Sequence, residues 1–141
     1  MMTTSMHIPY LLLADDDADD RTFFLDAFRR QNPGYHIEQV DGGSAALEFL
    51  KKAGDLPVIL LVDFEMPDLN GAEVLNCLST DSRYSHIVKI MWSSARQAIK
   101  LEEHKRLGID YYVQKPSNNS ELHSIVCKVR IIFDHAAMAM G

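Results

Sequence analysis

Five short segments of apolar or alternating residues recur along the chain, and each stops at a polar residue. They are residues 10–14, 36–40, 58–62, 87–92 and 111–113. They begin about 22 to 29 residues apart, which is the spacing of strand–helix–strand units with parallel strands. Most are almost continuously apolar, as strands are when helices cover both faces of a parallel sheet. The sequence therefore predicts a parallel sheet between two layers of helices.

The segments between the predicted strands carry apolar residues at helical spacing. The clearest stripes are Phe24 and Phe28, then Ala46 and Leu50, then Val74, Leu75 and Leu78, and last Leu122, Ile125, Val126, Val129 and Phe133. A weaker pattern over residues 98–107 ends at Gly108, a residue typical of helix ends. We expect the last helix to run toward Met138. Strict alternation of five strands and five helices predicts a three-layer, flavodoxin-like (βα)5 domain of the α/β class, with strand order 2-1-3-4-5.

Length and composition suit one domain over residues 1–141, with its core at about 8–134. No apolar run approaches the roughly 20 residues that cross a bilayer, and residues 1–7 lack the pattern of a signal peptide. We therefore expect a cytoplasmic protein without membrane contacts. Cys77 and Cys127 show no metal-like spacing and no His partner, so we interpret both as reduced thiols that serve as small core or surface residues.

The net charge of −6 comes from one acidic cluster. Five of the 20 acidic residues lie between Asp15 and Asp20, and the rest almost balance the 14 Lys and Arg. This distribution argues against direct nucleic-acid binding, which needs a basic surface. Acids at a helix start complement the helix dipole and cap its free amides. We expect that structural role for Asp17, Asp19 and Asp20.

Polar residues follow four of the predicted strands. Asp15 and Asp16 follow the first strand, Asp63 the third, Ser93 the fourth and Lys115 the fifth. In the order 2-1-3-4-5 the first and third strands are neighbours at the switch point, where ligands bind beyond the carboxyl ends of the strands. The sequence therefore predicts that these five side chains converge on one site.

Such a site suits phosphoryl chemistry. Clustered carboxylates favour a hard divalent cation such as Mg²⁺, with Mn²⁺ as the substitute. Lys115 adds a fixed positive charge and Ser93 a hydroxyl donor, which together match the charge of a transferring phosphoryl group. Aspartyl phosphate is a recognised covalent intermediate. Asp63 is the best candidate nucleophile because it stands alone at the end of a central strand.

Three segments of the chain resemble the receiver (CheY-like) domain of bacterial two-component response regulators. They are residues 12–17, with the acidic pair; residues 63–71, which read Asp-x-x-Met-Pro-x-x-x-Gly; and residues 112–116, which end in Lys-Pro. The resemblance covers about residues 8–134. One departure is Trp92, at a position where a smaller aliphatic residue is commoner.

The resemblance implies a role for each matching residue. Asp63 is the phospho-acceptor, and Ser93 and Lys115 bind the phosphoryl group. The metal ligands are Asp15, Asp16, Asp63 and the backbone carbonyl of Glu65. Ser93 and Tyr112 form the switch, and the bond between Lys115 and Pro116 is cis.

The resemblance also implies a stand-alone response regulator in a phosphorelay. A sensor histidine kinase or a phosphotransfer protein donates the phosphoryl group, and the modified protein binds a downstream protein target. We expect no enzymatic activity on other substrates. Two alternatives stay open: an interaction module that works without phosphorylation, and a small phosphatase with an Asp nucleophile. The apolar last helix also suggests a homodimer through the fourth and fifth helices.

Overall fold

A five-stranded parallel sheet lies at the centre of the structure, a computed structural model that describes residues 8–94 and 101–140. Its strands are Tyr10–Ala14 (β1), His36–Val40 (β2), Ile59–Asp63 (β3), Val88–Ser93 (β4) and Tyr111–Gln114 (β5). They lie in the order β2-β1-β3-β4-β5, and each neighbouring pair is parallel. The predicted strand order is confirmed, and each predicted strand agrees with the structure to within one residue at either end.

Helices connect the strands in strict alternation, as the sequence predicts. They are Ala18–Gln31 (α1), Gly43–Lys52 (α2), Gly71–Ser79 (α3), Leu101–Leu107 (α4) and Asn119–Met140 (α5), with a short 3-10 helix at Ser82–Tyr84. The predicted start of the fourth helix, Ala98, lies outside the described residues. Gly108 follows α4 with a φ of +70°, a left-handed conformation that favours glycine at helix ends. None of the helices described here has the length and apolarity needed to cross a membrane.

Two apolar layers bury the sheet. Leu11 and Leu13 of β1 point toward the layer of α1 and α5, whereas Leu12 points toward the layer of α2, α3 and α4, because side chains alternate along a strand. Every residue of β1 and of β3 is buried. The central strands are therefore apolar on both faces, and polar side chains occur only where these strands end.

Gly71 begins α3 at a close approach to the end of β3. A Cβ atom at this position would lie 2.6 Å from the backbone oxygen of Asp63 and 3.1 Å from the Cα of Phe64. Backbone atoms cannot turn away as a side chain can. We expect Gly71→Ala to lower the free energy of unfolding by about 1–3 kcal/mol, the usual cost of overpacking, in urea denaturation.

Gly54 supplies the matched control for that substitution. A Cβ atom at Gly54 would have no heavy atom within 4 Å, so Gly54→Ala should stay within about 0.5–1 kcal/mol of the wild type. If the two variants unfold at the same urea concentration, the steric argument at Gly71 is wrong.

Candidate functional site

Three carboxylates meet where β1 and β3 end. The register pairs Ala14 with Val62, so the residues that follow, Asp15 and Asp63, lie side by side. One carboxylate oxygen from each of Asp15, Asp16 and Asp63 lies within 4.8 Å of the other two. Asp15 and Asp63 are buried and Asp16 is exposed. This set of oxygen donors, open to solvent on one side, fits a hard divalent cation that keeps part of its water shell.

Lys115 brings a positive charge into the same cluster. Its Nζ atom lies 2.8 Å from Asp15 Oδ2, 2.8 Å from Asp20 Oδ2 and 3.1 Å from Asp63 Oδ2. The ammonium also lies 5.1 Å from the centre of the Trp92 ring, within the range of a cation–π contact. The Lys115 side chain is only 9% exposed, so its charge is held beside the carboxylates.

The environment shifts the pKa of both Asp63 and Lys115. Burial raises the pKa of Asp63 to about 7, and the nearby charge of Asp15 adds to this effect, because a buried carboxyl group resists ionisation. The Glu65 amide, which donates to Asp63 Oδ1 at 3.0 Å, and the Lys115 ammonium act in the opposite direction. Burial alone would lower the pKa of Lys115, but its interactions with Asp15 and Asp20 hold the pKa above its ordinary value.

Ser93 ends β4 as a buried residue beside the cluster. Its hydroxyl donates a hydrogen bond to Glu65 Oε1 at 2.6 Å, a short contact of the charge-assisted kind. The sequence interpretation assigned the backbone carbonyl of Glu65 to the metal site but did not predict this contact of its side chain. The structure shows that the side chain of Glu65 also enters the site, as the acceptor for Ser93.

Hydrogen bonds restrain the loop between β3 and α3 at the end next to α3. Asp68 accepts hydrogen bonds from the amides of Ser44 at 2.9 Å and Gly43 at 3.2 Å. The Ser44 amide is the largest of several hydrogen-bond donors that lower the pKa of Asp68 to about 2. Asn70 and Glu73 form a reciprocal capping box at the start of α3. Both contacts restrain the loop that carries Glu65.

Tyr112 lies on β5, half-buried and next to Met91 of β4. Its ring centre is 6.0 Å from that of His104 on α4. The structure therefore places the predicted switch residue between the sheet and α4. Its role in switching stays a prediction.

Two interpretations of the sequence are wrong in the structure. The described residues contain no cis peptide bond, so the bond between Lys115 and Pro116 is trans. Bonds before proline favour trans by about 0.5–1 kcal/mol, and the sequence motif by itself does not override that preference.

The second wrong interpretation is that Cys127 has no His partner, since its Sγ atom lies 3.7 Å from His123 Nε2. The four-residue spacing within one helix was the signal for this contact.

Asp17 and Asp20 differ in what they do at the start of α1. Asp17 caps the helix as predicted, because its side chain accepts hydrogen bonds from the amides of Asp19 and Asp20. Asp20 does more than complement the helix dipole, since it pairs with Lys115. Sequence reasoning missed this pair, whose members lie 95 residues apart.

Comparison with known proteins supports one family. The response regulator receiver domain family matches residues 11–127. The two-component response regulator ORR5 of Oryza sativa subsp. japonica is 26% identical over 121 residues, which make up 86% of this chain and 88% of that protein. Because this relative comes from a plant, the narrower expectation of a bacterial system stays a prediction.

Solved structures share the fold. The phosphorylated cyanobacterial phytochrome response regulator RcpA superposes with a TM-score of 0.79 over 90% of this chain and 94% of its own, at 21% identity. The Mn²⁺-bound form of response regulator Rcp1 gives 0.75 over 86% and 91%, at 20% identity. The family match covers well over half of the sequence, and the sheet order agrees with it. This chain therefore belongs to the response regulator receiver domain family of two-component signalling.

Proposed function

We propose that this receiver accepts a phosphoryl group on Asp63 from the phosphohistidine of a sensor histidine kinase or a phosphotransfer protein. The observation that carries the proposal is the setting of Asp63. Its buried carboxylate lies 3.1 Å from Lys115 Nζ and shares a cluster with Asp15 and Asp16. A cation site and a fixed ammonium around one carboxylate suit phosphoryl transfer, which depends on positioning and on neutralising charge.

The residues that would hold Mg²⁺, or Mn²⁺, are the carboxylates of Asp15, Asp16 and Asp63 and the backbone carbonyl of Glu65. When bound, the cation neutralises charge on the phosphoryl oxygens and favours the ionised form of Asp63. The three clustered carboxylates support this assignment. The Mn²⁺ bound by Rcp1, a protein of the same fold, is consistent with it.

Each side chain of the site has a separate role in the phosphoryl transfer. An Asp63 carboxylate oxygen forms a bond to phosphorus while the phosphorus–nitrogen bond of the donor breaks, and the imidazole keeps the electron pair and takes a proton. Lys115 and Ser93 then bind the phosphoryl oxygens, so the Ser93 hydroxyl leaves Glu65. We infer that this movement, with Tyr112, changes a protein-binding surface for a downstream target.

Incubation with acetyl phosphate, with and without Mg²⁺, tests the proposal by intact mass. We expect one phosphoryl adduct, formed only with Mg²⁺. An interaction module that works without phosphorylation would give no adduct. A phosphatase would hydrolyse p-nitrophenyl phosphate repeatedly, whereas a signalling receiver would not. The intact set of Asp63, Ser93 and Lys115 around one site favours the receiver.

Asp16→Ala is expected to weaken Mg²⁺ binding at least about tenfold, since it removes the exposed carboxylate of the cluster. Calorimetric titration of Mg²⁺ measures the change. Asp19→Asn is the control, because it removes the same charge from an exposed residue outside the cluster. Equal affinities in the two variants would show that Asp16 does not bind the cation.

We also propose a homodimer through α4 and α5, as expected from the sequence. Tyr111 and Ile131 are 46% and 49% exposed, and both line each of two surface pockets at β5 and α5. Large apolar side chains exposed side by side are typical of protein contacts. Sedimentation of the wild type at rising concentration tests the dimer, and a monomeric mass at every concentration would contradict it.

A further inference from the structure

Asp20 contacts the site but has no part in the proposed chemistry. Its Oδ2 atom lies 2.8 Å from Lys115 Nζ, closer than the 3.1 Å between that ammonium and Asp63 Oδ2. Asp20 comes from the first turn of α1, whereas Asp15 and Asp63 come from the ends of β1 and β3. The ammonium therefore has one carboxylate partner that belongs to a different layer of the fold.

We propose that Asp20 is a positioning residue that holds Lys115 toward α1 before phosphorylation and competes with the phosphoryl group for its ammonium. This inference rests on the proposed function, since it concerns the phosphoryl-binding lysine of the same site. It assigns to Asp20 a part in setting how tightly the site binds a phosphoryl group.

The first argument is the number of partners that Lys115 has. A lysine ammonium carries three N–H donors, and three carboxylates lie within 3.1 Å of Nζ. Of these, Asp20 and Asp63 accept hydrogen bonds from Nζ, and Asp15 lies at ion-pair distance. A phosphoryl oxygen therefore competes with carboxylates that already hold the ammonium.

The second argument identifies the carboxylate that gives way. The side chains of Asp15 and Asp63 are 0% and 4% exposed, whereas that of Asp20 is 36% exposed. A carboxylate that already faces water loses a partner at less cost than a buried one. Asp20 is therefore the partner that Lys115 exchanges for the phosphoryl group.

The third argument is charge. Asp20 places a negative charge next to the ammonium that the phosphoryl group must approach, and like charges repel. The contact between Lys115 and the Trp92 ring does not involve α1, so it can persist during the exchange. Removing the Asp20 charge should therefore free the ammonium without removing the lysine from the site.

The experiment compares Asp20→Asn with Asp19→Asn. Both substitutions remove one negative charge from the first turn of α1, but of the two residues only Asp20 contacts Lys115. Beryllium fluoride, a phosphoryl mimic, is titrated by calorimetry at saturating Mg²⁺. We expect Asp20→Asn to bind it about five- to tenfold more tightly than Asp19→Asn, the effect of a partly exposed charge pair. We expect the same increase in affinity for Asp20→Ser, which also removes the charge.

Two further readouts separate positioning from a merely structural role. In the resting protein, Trp92 emission should shift in Asp20→Asn but not in Asp19→Asn, because the ammonium over the ring loses one restraint. Asp20→Glu should restore both the wild-type emission and the wild-type affinity. Equal affinities for Asp20→Asn and Asp19→Asn, or weaker binding by Asp20→Asn, would overturn the proposal while leaving the proposed function in place. A wild type that binds no beryllium fluoride would overturn both.

Discussion

Asp63→Asn is expected to abolish the phosphoryl adduct that the wild type forms with acetyl phosphate and Mg²⁺. An amide in place of the carboxylate keeps the shape of the side chain but is not a nucleophile of comparable strength. The surrounding site should survive, because Lys115 keeps its contacts with Asp15 and Asp20. Intact mass measured before and after incubation gives the result directly.

Asp19→Asn is the control for loss of a carboxylate, and it should form the adduct as the wild type does. An adduct of undiminished yield in Asp63→Asn would remove the basis of the proposed function. If the wild type forms its adduct equally well without Mg²⁺, the carboxylate cluster is not the cation site. The first outcome tests Asp63 as the phospho-acceptor, and the second tests the carboxylate cluster as the cation site.

The second large effect concerns stability and pH in the metal-free protein. Burial raises the pKa of Asp63 from 3.8 to about 7, so the folded state holds this proton more tightly than the unfolded state. The stability that results is fully present below about pH 4 and is lost as the pH rises through about 7. The loss amounts to about 4 kcal/mol at most, from the free energy equivalent of a pKa shift.

Asp63→Asn should remove this dependence. Above pH 7 we expect the variant to be more stable than the metal-free wild type by up to about 4 kcal/mol, because the pKa of about 7 already includes the contact of ionised Asp63 with Lys115. Near pH 4 the difference between the two proteins should vanish. Urea denaturation at several pH values measures the free energy of unfolding of each protein. Subtracting the two values removes the contribution of other titrating groups, which both proteins share.

Addition of Mg²⁺ provides the control for that experiment. A cation that binds only the folded wild type stabilises it by mass action, so Mg²⁺ should recover the stability that ionised Asp63 removes. Asp63→Asn, which lacks one carboxylate of the cluster, should respond less. A stability difference that is the same at all pH values would contradict the raised pKa.

Much of the site follows from local patterns in the sequence. Asp15 and Asp63 each follow an apolar segment, and a parallel sheet necessarily brings the ends of its strands to one edge. Ser93 and Lys115 follow their own strands by the same logic. No detail of side-chain packing was needed to predict that these residues meet, because the backbone topology alone places them together.

The partners of these residues do not follow from local patterns. Ser93 donates to the side chain of Glu65, and Lys115 divides its charge among three carboxylates that include Asp20. A shift of 1 to 2 Å would break either contact, since hydrogen bonds weaken steeply with distance and angle. The spacing of residues along the chain does not fix distances to that precision.

The sequence by itself determined the alternation of strands and helices and the residues at the carboxyl edge, because periodicity and strand ends are local properties. The strand order was predicted as the common order of such domains, and the structure confirms it. The tertiary structure decided the trans bond before Pro116, the ion pair between Lys115 and Asp20 and the raised pKa of Asp63. Each of these depends on how closely helices, loops and strand ends pack around a buried charge. Desolvation and ion pairing change strongly over a few ångströms, a distance that only the folded chain sets.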